Sequence, residues 1–115
     1  MTLESVPLGI TVTARGWALS GEIDANGAPA LDSAFETMPA TMQPVVIDMG
    51  DVSFIDSSGL RVLARLLQRT RETQRRLILT RTPSRVTRLI EIAGMTDLIE
   101  IEADPEASPE AGAPG

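Results

Sequence analysis

Two adjacent serines, Ser57 and Ser58, stand between an aspartate and a glycine in the stretch DVSFIDSSGLRVL, residues 51–63. A hydroxyl pair at such a place has two readings. In the plainer one, Asp56 and the serines start a helix, their side chains accepting hydrogen bonds from the orphan amides of the first turn, while Gly59 lets the backbone turn tightly or approach another group. In the other, one of the serines is a site of modification. The two are compatible. A helix N-terminus favours negative charge through its free amides and dipole, so a phosphate there is expected to be held locally without unfolding the domain.

The other residues with chemical potential are carboxylates: Glu22, Asp24, Asp48, Asp51 and Asp56. Several fall at expected strand ends, where metal-binding aspartates sit in doubly wound folds. Capping and loop solvation are the plainer account. Arg61, Arg65 and Arg69 recur at i, i+4 and i+8, one face of a helix. Like charges at that spacing cost a helix a few tenths of a kcal/mol per pair, which an acidic partner would offset. A solvated face is the alternative.

Composition removes most enzyme classes. The chain has no cysteine, histidine or tyrosine, and all ten of its basic residues are arginine. Disulfides, thiol catalysis, thiolate metal sites and the commonest general base are therefore excluded, as are a Schiff base, a Ser-Lys dyad and a P-loop lysine. A nucleophile elbow needs G-x-S-x-G and a histidine base, and neither is present. No metal and no cofactor is expected.

The net charge is −6, but nine arginines and a single acid, Glu72, lie between Arg61 and Arg88, a local charge of about +8. The rest of the chain holds fifteen acids and only Arg15. A net acidic, lysine-free chain is a poor general binder of nucleic acid. The basic block fits an acidic protein partner better. No apolar run approaches the ~18 residues of a membrane helix, and MTLESVPLGI lacks the regions of a signal peptide. The expectation is a cytoplasmic protein with no direct contact to nucleic acid or membrane.

The elements that must position these residues follow from periodicity. With 115 residues, 43% hydrophobic and 23% charged, the chain suits one soluble domain. Ile10 and Val12 alternate with Thr11 and Thr13, Arg15-Gly16 turns, and Trp17 to Ile23 returns, a hairpin. Trp17 is expected in or near the core. Pro29 opens a helix whose Leu31, Ala34, Phe35 and Met38 share a face. The run VVIDM reads as a strand covered on both faces. GDVSFIDSSG then leads into a long helix, with Leu60, Leu63, Ala64 and Leu67 on one side. RLILT is a fourth strand. Thr82 as cap, Pro83 in the first turn, Val86/Leu89/Ile90/Ala93 on one face and Gly94 as stop define a third helix. Residues 98–102 form a fifth strand.

The order is β-β-α-β-α-β-α-β: an α/β fold with a mixed, mostly parallel sheet of about five strands packed by three to four helices. The domain is placed at residues 1–102, and the acidic, proline-rich 103–115 is expected to be a disordered tail.

Together, LSGEID, VVIDMG and DVSFIDSSGLRVL resemble the bacterial anti-sigma factor antagonists with the STAS fold. The matches are Gly21, Glu22, Ile23 and Asp24, all of Asp51 to Leu60, and the later RVTRLIEIAGM helix with its following strand. The resemblance spans about residues 8–102. It implies a regulatory binding protein, not an enzyme. Such an antagonist, unphosphorylated, captures an anti-sigma factor of the histidine-kinase-like ATPase type, which then releases its sigma factor. The captured partner phosphorylates the antagonist on serine, and a PP2C-type phosphatase reverses this. The resemblance places the phosphoacceptor at Ser57 and sets Asp24 near it. Asp56, Ser58, Gly59, Arg61 and Arg65 are then the surroundings of the phosphosite and the partner surface, with Gly59 leaving room for the kinase.

Two other readings remain at this level. The same fold serves as a subunit of a lipid-transport ABC complex or a signalling scaffold without a phosphate cycle. A nucleotide-binding or hydrolysing protein using Asp24 and Asp56 with a metal is of a different class, and no glycine-rich phosphate loop supports it.

Overall fold

The structure, a computed structural model, describes residues 6–103. Five strands and three helices follow in the order β1 (Gly9–Thr13), β2 (Gly16–Ile23), α1 (Ala28–Glu36), β3 (Val45–Ile55), α2 (Ser57–Glu72), β4 (Leu77–Thr82), α3 (Ser84–Ile92) and β5 (Glu100–Ala103). The single sheet has its strands side by side in chain order. β1 and β2 are antiparallel, and every later pair is parallel. The expected α/β architecture and element order are thus present, with three helices among the described residues.

Because each β-α-β crossover moves one strand in the same direction, crossovers of the usual hand put all three helices on one face. The core agrees with that. Trp17, Leu19 and Ile23 of β2, Ile47, Met49, Val52 and Ile55 of β3, and Leu77 and Leu79 of β4 form one buried cluster with residues of α1, α2 and α3. Trp17, 3% exposed, meets Phe35 of α1 edge to face, ring centroids 4.9 Å apart, an arrangement worth roughly 1 kcal/mol beyond the area buried.

Four local expectations need correction. The third strand does not stop after VVIDM; it runs eleven residues to Ile55. Its pairing with β2 has two irregularities, between Ala18/Ser20 and between Gly21/Glu22, so β3 carries extra residues there. Inward positions become Met49, Val52 and Ile55, a spacing of three that hides the strand's period of two.

In α2 the buried positions are Gly59, Val62, Leu63, Leu66, Leu67 and Thr70. Leu60 and Ala64, expected on that face, are only half-buried. The apolar stripe is wide enough for several rotations, and the sheet selects the one that turns Gly59 inward.

Thr82 does not cap α3: it is still strand, paired with Ala103, and its hydroxyl donates to the Leu79 carbonyl at 3.1 Å. Extended Pro83 holds the N-cap position with no side-chain bond. At the other end Gly94, with φ +76, stops the helix as expected: its amide donates to the Glu91 carbonyl and that of Met95 to the Ile90 carbonyl.

The last strand lies at Glu100–Ala103, displaced from residues 98–102, with Ile99 buried just before it and Leu98 45% exposed. Of the expected 103–115 tail, Ala103 belongs to β5, and the remainder lies outside the described residues.

Candidate functional site

The parallel pairing of β2 with β3 ends at Ile23 opposite Ile55. One more bond, from the Asp56 amide to the Ile23 carbonyl at 3.2 Å, carries the pairing past both strands. Asp24 and Asp56 therefore leave the same end of the sheet side by side, Asp24 into the turn that precedes α1 and Asp56 directly into α2. That end, the carboxyl end of the parallel strands, is where α/β sheets place their sites.

Both aspartates accept hydrogen bonds from the backbone just after them, Asp24 within a turn and Asp56 as the cap of α2. The Asp24 Oδ1 accepts from the amides of Asn26 at 3.0 Å and Gly27 at 3.1 Å. Asp56, in extended backbone, has its Oδ1 accepting from Ser58 N at 2.9 Å and Gly59 N at 3.2 Å. The expected seat for a phosphate on the helix amides is thus already taken by Asp56, which would also repel a phosphate. Of the amides that the sequence offers to a phosphate, those of Ser58 and Gly59 are therefore occupied, and the helix dipole is the remaining local support for added negative charge.

Ser57 is the first residue of α2 and is exposed, while Ser58 is half-buried. Neither hydroxyl makes a hydrogen bond to another described residue. The neighbouring carboxylate, Asp56, has its Oδ1 engaged by the two amides of the first turn.

Gly59 is buried, and a Cβ there would stand 2.7 Å from the side chains of both Ile23 and Ile55 and 2.8 Å from the Ile23 carbonyl oxygen. Its missing side chain lets the helix settle on the strand ends. It does not open space for an approaching kinase, as the sequence reading had it.

The arginine stripe is divided. Arg65 Nε lies 3.2 Å from Asp32 Oδ1, and an Arg69 guanidinium nitrogen lies 3.5 Å from Glu36 Oε2. The α1 carboxylates, themselves four residues apart, match the arginines pairwise, so no external acid is needed to explain these two. Arg61 is exposed and has no ion pair among the described residues.

The remaining candidates separate. Glu22 and Asp24 line a cavity of about 430 Å³ beside the β2–α1 turn. Asp48 and Asp51 lie elsewhere, with Arg81: its Nε is 3.0 Å from Asp48 Oδ1 and another nitrogen 4.0 Å from Asp51 Oδ2. Among the described residues no group of three or more carboxylates is placed to hold a metal ion.

Two residues near the turn escaped the sequence reading. Phe54, 42% exposed, pairs across from Glu22. An Arg85 guanidinium nitrogen donates to the Ser53 carbonyl at 3.3 Å, bringing α3 to the end of β3. The signal for Phe54 was in VSFI: if Val52 and Ile55 both face the core, two successive residues between them cannot alternate.

Comparison with known proteins agrees with this geometry. The STAS domain family model matches residues 16–107. An anti-sigma-B factor antagonist of Listeria monocytogenes is 39% identical over 85 residues, 73% of this chain and 75% of the relative. That of Bacillus subtilis is 32% identical over 88 residues, 76% of this chain and 81% of the relative. A crystal structure of an anti-sigma factor antagonist from Mycobacterium paratuberculosis superimposes with a TM-score of 0.68, at 24% identity and covering 96% of this chain and 97% of that one. With the strand-to-helix serine turn, the sheet order and these likenesses taken together, the chain belongs to the STAS domain family, among the anti-sigma factor antagonists.

Proposed function

We propose that the protein is a binding regulator without catalysis of its own, acting in the cytoplasm, and that Ser57 is its switch. Unphosphorylated, it captures an anti-sigma factor of the histidine-kinase-like ATPase type and frees the sigma factor. That partner phosphorylates Ser57, and a PP2C-type phosphatase resets it. The observation that carries this reading is the exposed, unbonded Ser57 hydroxyl at a junction whose backbone is fixed by Asp56 capping and by Gly59 packing.

The electrostatics supply the direction of the switch. A phosphate adds about −1.5 to −2 charge, next to Asp24 and Asp56 and with its nearest amides occupied. An unpaired charge buried in an interface costs several kcal/mol. Phosphorylation therefore releases the partner by blocking the contact, with the fold retained.

The test is phosphopeptide mapping after incubation with the anti-sigma factor and ATP. Label on Ser57 is expected. Ser57→Ala should bind permanently, Ser57→Asp weakly, and Ser58→Ala should still be phosphorylated. Label on Ser58 alone, or undiminished binding by the phosphorylated protein, overturns the assignment.

A further inference from the structure

The second irregularity of β3 has an apolar cost. From Val52, simple alternation would turn Phe54 into the core and Ile55 out to water. The register shift between Gly21 and Glu22 reverses this: Ser53 and Phe54 are both exposed, and Ile55 is 2% exposed. The largest apolar side chain of the stretch is thus the one left at 42% exposure, while the other two aromatics, Trp17 and Phe35, are buried. Bulges next to functional sites characteristically re-aim a side chain.

The direction is specific. Phe54 shares the face of its partner Glu22, and Ile55 that of Ile23, which is fully buried under the helices. Phe54 therefore stands on the helix-free face, at the same end of the sheet as Ser57. They are three positions apart in the chain, so their Cα atoms are at most about 11 Å apart. Glu22 lies beside it on that face, and the Arg85 side chain reaches the carbonyl of its neighbour Ser53. Phe54 thus has an acid beside it on its own face and, at the carbonyl of the preceding residue, a base supplied by α3.

We infer that Phe54 is an apolar anchor for the protein that phosphorylates Ser57, entering a pocket of that partner while Glu22 and Arg85 meet polar groups at its rim. The inference rests on the reading of Ser57 given above. Any protein that brings a kinase site onto the Ser57 hydroxyl covers the surface around it, and Phe54, whose Cα is at most ~11 Å from that of Ser57, is an exposed aromatic there. Buried aromatics ringed by polar contacts are the usual hot spots of such interfaces. The partner accordingly grips the end of the sheet from both faces: α2 with Arg61 on one side, Phe54 on the other.

The experiment compares wild type, Phe54→Ala and Phe54→Leu, each also with Ser57→Ala to block modification, binding the purified kinase-type anti-sigma factor of the same organism. Truncation to alanine should weaken binding by ~10-fold or more, mostly through faster dissociation. Leucine should restore most of the affinity. In the phosphorylation assay Phe54→Ala should raise KM by a similar factor and leave kcat unchanged, which separates an anchor from a residue that shapes the Ser57 turn. If wild type binds and Phe54→Ala binds equally well, the anchor is refuted while the switch stands. A fall in kcat with KM unchanged refutes it too, as does a lowered melting temperature with binding intact. If wild type itself fails to bind, both readings fall.

Discussion

Asp56 and Gly59 hold the serine turn by different means, and each can be tested alone. Asp56 offers one oxygen to two amides. Asn serves as well as Asp at an N-cap, so Asp56→Asn should keep the domain's stability, whereas Asp56→Ala should lose about 1 kcal/mol in chemical denaturation. The pair separates the cap from the negative charge. If charge repulsion contributes to release, phosphorylated Asp56→Asn should bind the partner better than phosphorylated wild type. Gly59→Ala forces a methyl against Ile23 and Ile55. Overpacking of this kind costs roughly 1–3 kcal/mol. Equilibrium unfolding of Gly59→Ala should show that loss; an unchanged midpoint would mean the helix can lift off the strand ends without penalty.

Between elements, the charges of α1 and α2 form a matched ladder, Asp32 with Arg65 and Glu36 with Arg69. Such exposed pairs contribute ~0.2–1 kcal/mol each and are screened by salt. Arg65→Gln with Arg69→Gln should thus lower stability slightly at low salt and leave association with the partner largely unchanged. Arg61→Gln should instead slow association and reduce its salt dependence, which stopped-flow mixing at several ionic strengths would resolve. Equal effects of all three substitutions would restore the single-stripe reading. The stripe was legible in the sequence because its spacing is local. Its partners were not, since Asp32 and Glu36 are more than thirty residues away and meet it only through the crossover. The same division holds elsewhere. The strand-turn-helix at Ser57, the Gly94 stop and the element order could be read from local pattern. The extent of β3 could not, because its bulges are set by pairing with β2, and Phe54 was lost with it.

Across the molecule, the helix-free face carries its own charge clamp. Arg81, at a left-handed φ of +48, spans Asp48 and Asp51, and its guanidinium lies where a Cβ at Gly50 would collide. Burial pushes the Asp48 carboxyl up, but the Arg81 hydrogen bond, the Gly50 amide and the Arg81 charge together hold it below its ordinary value of 3.8. A carboxylate depressed in the folded chain stabilises it above that ordinary value, and the contribution disappears as pH falls through the lower folded one. Melting temperature should therefore drop more steeply below pH 4 in wild type than in Asp48→Asn. The difference should stay below about 1 kcal/mol, because the pair is partly open to water. Glu100, lowered by its hydrogen bond from Arg76, titrates in the same direction and remains in the variant as an internal reference.

The order of the strands also has a bearing on how the chain comes off the ribosome. Each strand lies against the one made just before it, so the sheet can be laid down from one side to the other without any strand being inserted between two others. Synthesis delivers the N-terminal strands first, although a domain generally folds as a unit. By the time Ser57 emerges, β1, β2 and β3 are already out, while their apolar face still lacks α2. A nascent chain halted after Asp56 should therefore stay exposed to chaperones and proteases, and one extended through Glu72 should begin to resist them. The serine is thus presented as an ordered helix start only once the segment behind it has closed the core.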